Sequence, residues 1–244
     1  MTEQHPMAVS PGGVGVPPAL AVSTVIFSLM ASDSTGRMAL HIPLVRRIRE
    51  PYRGLWALPG GPLGADEDLS EAARRHLLDT TALSPTYLEQ LYAFGARGRS
   101  LAERVVSIVY WALVSRSNAV EGPANALVQG DPNVCWFDAD DLPPLAFDHG
   151  TIVDYALWRL RTKMEYSRIA GAFIGSTFTL SQLREVHEAV LGRELDPANF
   201  RRMVESSDAV VPTGEYLTGT KHRPPRLYRY NSAIDPDPSP LARA

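Results

Sequence analysis

One segment, LWALPGGPLGADEDLSEAARRHLLDTTAL at residues 55–83, constrains the fold more than any other part of the chain. A short apolar run ends at a Pro-Gly-Gly turn, and an alanine-rich pattern over about Asp66–Thr80 follows it. Apolar residues three and four positions apart indicate a helix with one buried face, whereas a short apolar run before a glycine turn is typical of a strand. The segment therefore predicts a strand, a tight turn and an amphipathic helix.

Runs of β-branched and aromatic residues lie on both sides of this helix and predict strands. They cover 20–30, 38–47, 87–94 and 104–114, with a short last strand at 135–137. The chain has one cysteine, Cys135, so it cannot form an internal disulfide framework. No apolar run reaches the length of about 18 residues that a membrane span requires. We therefore expect a soluble cytoplasmic protein with no membrane partner.

After Asp148 the pattern changes from strands to helices. Asp148 is a suitable N-cap for a helix that ends near Glu165. The next helix has a complete start signal, because Thr179 is followed three residues later by Gln182, the spacing of a capping box. Gly192 ends that helix.

A third helix begins in LDPANFRRMVESS, where Asp196 is the predicted N-cap and Pro197 the first helical residue. Its Phe200 and Met203 are expected to face the core. Two short β segments around a polar loop complete the region, in VVPTGEYLTGTKHRPPRLYRYN. A helix, a short turn, a helix and a hairpin in this order indicate a winged helix-turn-helix.

Charge also differs along the chain. Residues 1–150 contain 11 Lys and Arg against 16 Asp and Glu, whereas residues 151–230 contain 12 against 9. Opposite signs in the two parts favour two domains with different partners.

The opening segment resembles the Nudix box, in which Gly, Glu and a helical Arg-Glu-x-x-Glu-Glu core bind metal ions and hydrolyse a diphosphate. Matching positions carry Gly61, Glu67, Arg75, Leu77 and Leu83. The three positions of the core glutamates carry His76, Asp79 and Thr80 instead. These positions share one helix face, and carboxylates there would hold Mg²⁺. One carboxylate, one imidazole and one hydroxyl are a poor set for that ion, so we predict no metal and no hydrolysis.

The resemblance extends over about residues 20–231, through LVRRIREPYRGLWALPGG and the helices and hairpin of the C-terminal part. There the chain is similar to the Nudix-related transcriptional regulators of NAD metabolism, the NrtR type. The resemblance implies an α/β/α Nudix sandwich followed by a C-terminal winged helix-turn-helix. It also implies a homodimer, repression of NAD biosynthesis or salvage genes, and ADP-ribose or a related nucleotide as effector, with no required cofactor.

The corresponding domain plan has five parts. We expect an unstructured segment at 1–18, a Nudix-like sensing domain at 19–147 and a connecting helix at 148–165. A winged helix-turn-helix domain at 166–231 and an unstructured tail at 232–244 follow.

Binding of a diphosphate nucleotide without a metal requires cations and backbone amides. Arginine side chains just before the glycine turn can form paired hydrogen bonds with phosphate oxygens, and amides at a turn leading into a helix attract anions. Trp56 either stacks on a base or belongs to the core. The predicted effector-binding residues are Arg47, Arg49, Arg53, Trp56, Gly60, Gly61 and Arg97, the last in a glycine-rich loop that also contains Arg99 and could cover the pocket.

The helix after Asp196 is the predicted recognition helix, with Asn199, Arg201 and Arg202 at its N-terminal turns, where base edges are read. The loop TGTKHRPPR is the predicted wing, and its Lys221, His222, Arg223 and Arg226 are expected to contact phosphates. The partner is then double-stranded DNA with a palindromic operator.

Two other functions remain open on the sequence. One is a Nudix hydrolase of ADP-ribose-type nucleotides that uses Glu67, Glu71 and Asp79 as atypical metal ligands. The other is a winged helix that serves as a protein-interaction module, which the basic wing disfavours.

Overall fold

The computed structural model describes residues 16–32, 36–101, 103–115, 131–166, 168–219, 224–231 and 233. The predicted unstructured ends lie outside these residues, apart from 16–18 and 233. Seven strands form the main sheet: β1 Ala19–Ala31, β2 Met38–Arg46, β3 Trp56–Ala57, β4 Gly60–Pro62, β5 Tyr87–Phe94, β6 Val105–Leu113 and β7 Val134–Asp138. The helices are α1 Leu69–Thr81, α2 His149–Tyr166, a 3₁₀ helix Arg168–Ala172, α3 Leu180–Leu191 and α4 Pro197–Ser206, followed by the strands β8 Val210–Tyr216 and β9 Arg226–Tyr230.

The main sheet is mixed, with the order β3-β2-β1-β6-β5, and β4 and β7 pair with β1 and β2. The long strand β1 runs parallel to β6 and antiparallel to β2 and β4. Its side chains alternate between two cores, since Val22 and Ile26 pack on the α1 side and Val25 and Phe27 on the α2 side. Helices on both faces of the sheet confirm the predicted α/β/α sandwich.

The predicted caps of α3 and α4 are confirmed, whereas the carboxylate of Asp148, the predicted cap of α2, binds the Arg99 side chain instead. Thr179 Oγ1 accepts a hydrogen bond from the Gln182 N–H, and the Gln182 side chain accepts one from the Thr179 N–H. At α4, the Asp196 carboxylate accepts from the Asn199 N–H at 2.8 Å. Each such cap stabilises its helix by about 1 kcal/mol, because it satisfies an amide that has no partner within the helix.

The hairpin β8–β9 is antiparallel, as predicted, and Phe178 adds a short third partner to it. The Phe178 and Tyr228 backbones exchange two hydrogen bonds, of 2.9 and 2.8 Å. Both side chains are buried together with Leu183 and Phe200. Helices α3 and α4 and a small sheet around one core are the winged helix that the sequence predicts.

One expectation about α4 is wrong. Met203 is 55% exposed, whereas Phe200 and Val204 are the buried residues of the helix. Phe200 and Val204 are four positions apart and therefore share one buried face of the helix. Met203 lies to the side of that face and is open to solvent.

The two halves of the chain share one continuous cluster of buried side chains, which includes Ile152 and Ala156 of α2. Arg161 of α2 binds the Asp140 carboxylate with 2.7 Å contacts and donates to the Val190 carbonyl in α3 at 2.9 Å. Helix α2 therefore covers the main sheet and also contacts the winged helix. Among the described helices, none is long and apolar enough to cross a membrane.

Candidate functional site

Two glycines define the turn before α1, the helix of the segment that resembles the Nudix box. Gly60 and Gly61 lie in β4 and pair with Ser23 and Val22 of β1. A Cβ on Gly60 would lie 2.6 Å from the Val22 carbonyl oxygen, and one on Gly61 would lie 2.9 Å from Cε1 of His76. Both distances are shorter than an ordinary contact. At Gly60 the near atoms include backbone atoms of β1, so only glycine fits there, whereas a Cβ at Gly61 would displace the His76 ring.

The matching Glu67 and Arg75 form a two-point ion pair. Arg75 donates to the two carboxylate oxygens at 3.0 and 2.6 Å, and the Gly64 N–H donates to the same carboxylate at 2.6 Å. The Arg75 hydrogen bonds, followed by the Gly64 amide, lower the pKa of Glu67 to about 2. Glu67 therefore fixes the loop at residue 64 to the second turn of α1.

The three positions of the core glutamates are occupied by groups that do not converge. Nε2 of His76 is buried without a hydrogen bond among the described residues, and burial lowers the pKa of this imidazole. The Thr80 hydroxyl donates to the His76 carbonyl at 2.7 Å, within the helix. Asp79 is exposed.

These residues do not fit a Mg²⁺ site. The ion requires several oxygen ligands, yet Asp79 is the one carboxylate on this face, and both oxygens of Glu67 already accept from Arg75. Glu71 accepts from the Asp68 N–H at 2.8 Å and completes the cap of α1. In the described parts of the chain, no three His, Cys, Asp or Glu side chains are grouped as metal ligands.

The loop between β2 and β3 contains both engaged and free arginines. Arg46 and Arg47 donate to backbone carbonyls of the loop, at 3.3 and 2.7 Å, and the Arg47 guanidinium lies 4.6 Å from the centre of the Phe147 ring. Arg49 and Arg53 are exposed and have no hydrogen bond or ion pair within the part of the chain that the structure describes. Of the three predicted phosphate ligands, Arg47 thus shapes the loop, and the other two remain available.

The loop between β5 and β6 repeats this division. Arg97 is exposed, whereas the Arg99 side chain is 6% exposed and forms two hydrogen bonds with the Asp148 carboxylate, at 2.9 and 2.8 Å. Arg99 also donates to the Ser107 hydroxyl at 2.6 Å. A sequence of alternating Gly and Arg contains no signal that separates the buried arginine from the exposed one.

The segment 147–149 connects these loops, a role that no local pattern in the sequence predicts. Phe147 contacts Arg47 and Tyr52, and Asp148 binds Arg99. Nδ1 of the buried His149 accepts a hydrogen bond from the Leu58 N–H at 2.9 Å, one residue before Pro59. Burial lowers the pKa of His149 to about 4, so the ring is neutral and able to accept. The segment 147–149, at the start of α2, therefore positions both arginine-bearing loops and the glycine turn.

Trp56 packs edge to face on Phe137, with ring centres 5.0 Å apart, and borders the core. Its backbone carbonyl accepts from the Ala146 N–H at 2.8 Å. These contacts favour the packing role over the stacking role. At the start of α1, Asp68 and Glu71 already form the capping box, so the amides that they bind are not open to an anion.

The outer face of α4 presents Asn199 and Arg202, both exposed. Arg201 lies to one side, where its Nε donates to Glu205 at 2.9 Å. Glu205 also accepts from the Tyr228 hydroxyl at 3.3 Å. The structure thus separates Arg201 from the two other residues that the sequence grouped with it.

Of the predicted wing residues, Lys221, His222 and Arg223 lie outside the described residues. Arg226 begins β9, and a hydrogen bond with Tyr216 raises its pKa above the ordinary value. A groove of about 530 Å³ separates this strand from the starts of α3 and α4. Arg184, Arg201 and Arg226 line it, which makes it a cationic groove between the predicted recognition helix and the wing.

Comparison with known proteins agrees with this two-part organisation. The family model for the NUDIX domain matches residues 22–156, and that for the NrtR DNA-binding winged helix domain matches residues 171–230. An ADPR responsive transcriptional repressor NtrR of Acinetobacter baylyi is 31% identical over 205 residues, which cover 82% of this chain and 80% of the relative. An ADP-ribose pyrophosphatase of Methanocaldococcus jannaschii is 32% identical over 121 residues, or 48% of this chain and 67% of that protein.

The fold is also found in solved structures. The crystal structure of Shewanella oneidensis NrtR complexed with a 27mer DNA matches with a TM-score of 0.71 and 34% identity, over 87% of this chain and 93% of that one. Two domain matches in the order of the NrtR proteins, and a relative aligned along most of both chains, identify the family. The chain belongs to the NrtR family of regulators, in which a NUDIX domain is followed by a DNA-binding winged helix domain.

Proposed function

We propose that this protein is a DNA-binding transcriptional repressor of NAD biosynthesis or salvage genes, and that its NUDIX domain binds ADP-ribose or a related nucleotide without hydrolysing it. One observation carries the proposal: a helix α1 that lacks the ligands for Mg²⁺ among the described residues is joined to a winged helix whose helix α4 presents Asn199 and Arg202 to solvent. A relative described as an ADPR responsive repressor supports the choice of effector.

The proposed sensing residues are Arg49, Arg53 and Arg97, the exposed arginines of two loops that the segment 147–149 positions. Guanidinium groups bind a diphosphate through paired, charge-assisted hydrogen bonds and require no metal for this. Arg47, Trp56, Gly60 and Gly61 shape the site around them. The sensing domain spans 19–147, the connecting helix 148–165 and the DNA-binding domain 166–231.

The proposed DNA-binding residues are Asn199 and Arg202 on the face of α4, with Arg201, Arg226, Lys221, His222 and Arg223 beside it. A homodimer in the cytoplasm would place two such helices in successive major grooves. The operator is then a near-palindrome with half-sites about one helical turn apart, or a multiple of that distance.

The decisive experiment is a fluorescence-anisotropy titration of the full-length protein on DNA from upstream of its own gene, with and without ADP-ribose. Salt-sensitive binding that ADP-ribose changes supports the proposal. Arg202→Ala should weaken this binding, whereas Arg74→Ala, a change of the same type on the exposed side of α1, should not. Absence of binding to any upstream duplex would remove the repressor function.

Hydrolysis is tested on the same preparation. With Mg²⁺ and ADP-ribose, we expect release of AMP to stay below about 0.1 s⁻¹, under the usual enzymatic range of roughly 1–10³ s⁻¹. Faster release that Asp79→Asn abolishes would favour the alternative, a Nudix hydrolase with atypical ligands. The pyrophosphatase relative is the observation in favour of that alternative.

A further inference from the structure

Met203 is an exposed apolar residue on the recognition helix. Its side chain is 55% exposed, beside the buried Phe200 and Val204. Single exposed apolar residues are common on protein surfaces, so exposure alone has little meaning. The position of Met203 on a face predicted to enter DNA is the informative feature.

Met203 lies four residues after Asn199, one helical turn further along α4. Helical side chains lean toward the N-terminus, so the thioether of Met203 covers the surface next to Asn199. Asp196 binds the Asn199 backbone N–H, while the side-chain amide of Asn199 has no partner among residues that the structure describes. One amide and one flexible apolar chain therefore lie side by side and open to solvent.

The opposite flank of α4 is closed by contacts within the protein. Arg201 binds Glu205, and Glu205 accepts from Tyr228 of β9. The Glu205 carboxylate already occupies the Arg201 side chain at this flank and is unsuited to a base edge that presents acceptors. Base reading is thus left to the side of the helix that carries Asn199, Arg202 and Met203.

The chemistry of this pair matches one base pair of DNA. In the major groove an asparagine amide forms two hydrogen bonds with N6 and N7 of adenine. The only apolar group on any base edge there is the C5 methyl group of thymine. We infer that Asn199 and Met203 together read one adenine–thymine base pair in each operator half-site, Asn199 through the adenine edge and Met203 through the thymine methyl. The inference rests on the proposed DNA-binding function and goes beyond it by assigning base specificity.

Single-atom changes in the DNA test this assignment. A duplex selected by the full-length protein from a randomised library is resynthesised with each thymine in turn replaced by deoxyuridine, which removes the methyl group alone. At one position in each half-site, we expect about fourfold weaker binding, the effect of leaving one methyl-sized group unburied. Met203→Ala should lose a similar factor on the unmodified duplex and show no further loss with deoxyuridine. Met203→Leu, which keeps an apolar side chain, should retain the sensitivity.

The asparagine is tested in the same way with 7-deazaadenine, which lacks the N7 acceptor. Wild-type protein should bind about tenfold more weakly when the substituted adenine is the one paired with the sensitive thymine, and Asn199→Ala should bind both duplexes equally. Leu78→Ala is the matched control for Met203→Ala, since Leu78 is an apolar residue that is 53% exposed on a helix of the other half of the chain.

If wild-type protein binds every deoxyuridine duplex with unchanged affinity, or if Met203→Ala keeps the full deoxyuridine effect, the role of Met203 is wrong while repressor function stands. If the selection yields no preferred duplex, the proposed function itself fails and the inference with it.

Discussion

The two halves of the molecule use their arginines differently. In the NUDIX half, Arg47, Arg75 and Arg99 bind groups of the protein itself: loop carbonyls, the Glu67 carboxylate and the Asp148 carboxylate. Arg49, Arg53 and Arg97 of that half are exposed. In the winged-helix half, Arg184 and Arg201 pair with glutamates four residues further along their own helices, and Arg202 faces solvent. An arginine that is paired inside a fold stabilises a loop, and an unpaired exposed one is available to a ligand. The difference shows that a cluster of basic residues in a sequence marks a site only after its internal partners are known.

The largest expected effect comes from the most buried of these ion pairs. Arg99→Ala should lower the free energy of unfolding by about 3–5 kcal/mol, because it leaves the Asp148 carboxylate without its partner beside the core. Arg97→Ala, two residues away in the same loop and exposed, is the matched control and should stay within about 0.5 kcal/mol. Urea unfolding of both variants measures the difference. Equal stability of the two variants would contradict the division between engaged and free arginines.

The next effect is a loss of stability in acid. Burial lowers the pKa of His149 in the NUDIX half and of His187 in the winged helix to about 4, from an ordinary 6.5. The unfolded chain therefore binds more protons than the folded one between these values. Stability is complete above pH 6.5 and falls as the pH drops toward 4, by up to about 1.4 kcal/mol per pH unit for each group.

Urea unfolding at about pH 7.5 and about pH 5 measures this loss. His187 lies next to the Phe200 ring, and His187→Phe should remove its contribution to the pH dependence of stability while leaving that of His149. His149→Gln keeps an acceptor near the Leu58 N–H and should remove the contribution of His149. If neither variant reduces the pH dependence, the two rings do not remain neutral in the folded protein.

Local signals in the sequence predict much of the fold and a smaller part of the site. Caps such as Thr179 and Asp196 act within one helical turn, so the sequence contains the complete interaction. The partners of Arg99 and His149 lie 49 and 91 residues away, and no local pattern encodes such contacts. The prediction for Met203 is wrong for a related reason. Met203 and Val204 follow Phe200 by three and four residues, so either can share its buried face, and only the observed packing shows which one is buried.

A smaller effect is expected at the effector site. Arg49→Ala and Arg53→Ala should each weaken ADP-ribose binding by about tenfold or more, the value of a charge-assisted hydrogen bond, without a change in stability. Arg47→Ala should instead lower stability, since it removes the contacts with the loop and with Phe147. Calorimetric titration combined with thermal unfolding separates the two classes of variant. Unchanged affinity in both Arg49 and Arg53 variants would place the nucleotide elsewhere.

The smallest effect is expected at the wing. Arg226 lines the cationic groove and lies in β9, outside the helix α4 that would read the bases. We therefore expect it to contact phosphate alone. Arg226→Ala should then weaken binding to the operator and to scrambled DNA by similar factors and reduce the slope of log affinity against log salt by about one. Arg202→Ala should cost about 1–3 kcal/mol on the operator and reduce the preference over scrambled DNA, because a base contact is lost. Titrations of both duplexes at several salt concentrations distinguish these outcomes. A loss of sequence preference in the Arg226 variant would show that the wing reads bases, and the contrast between a reading helix and a phosphate-binding wing would then have to be abandoned.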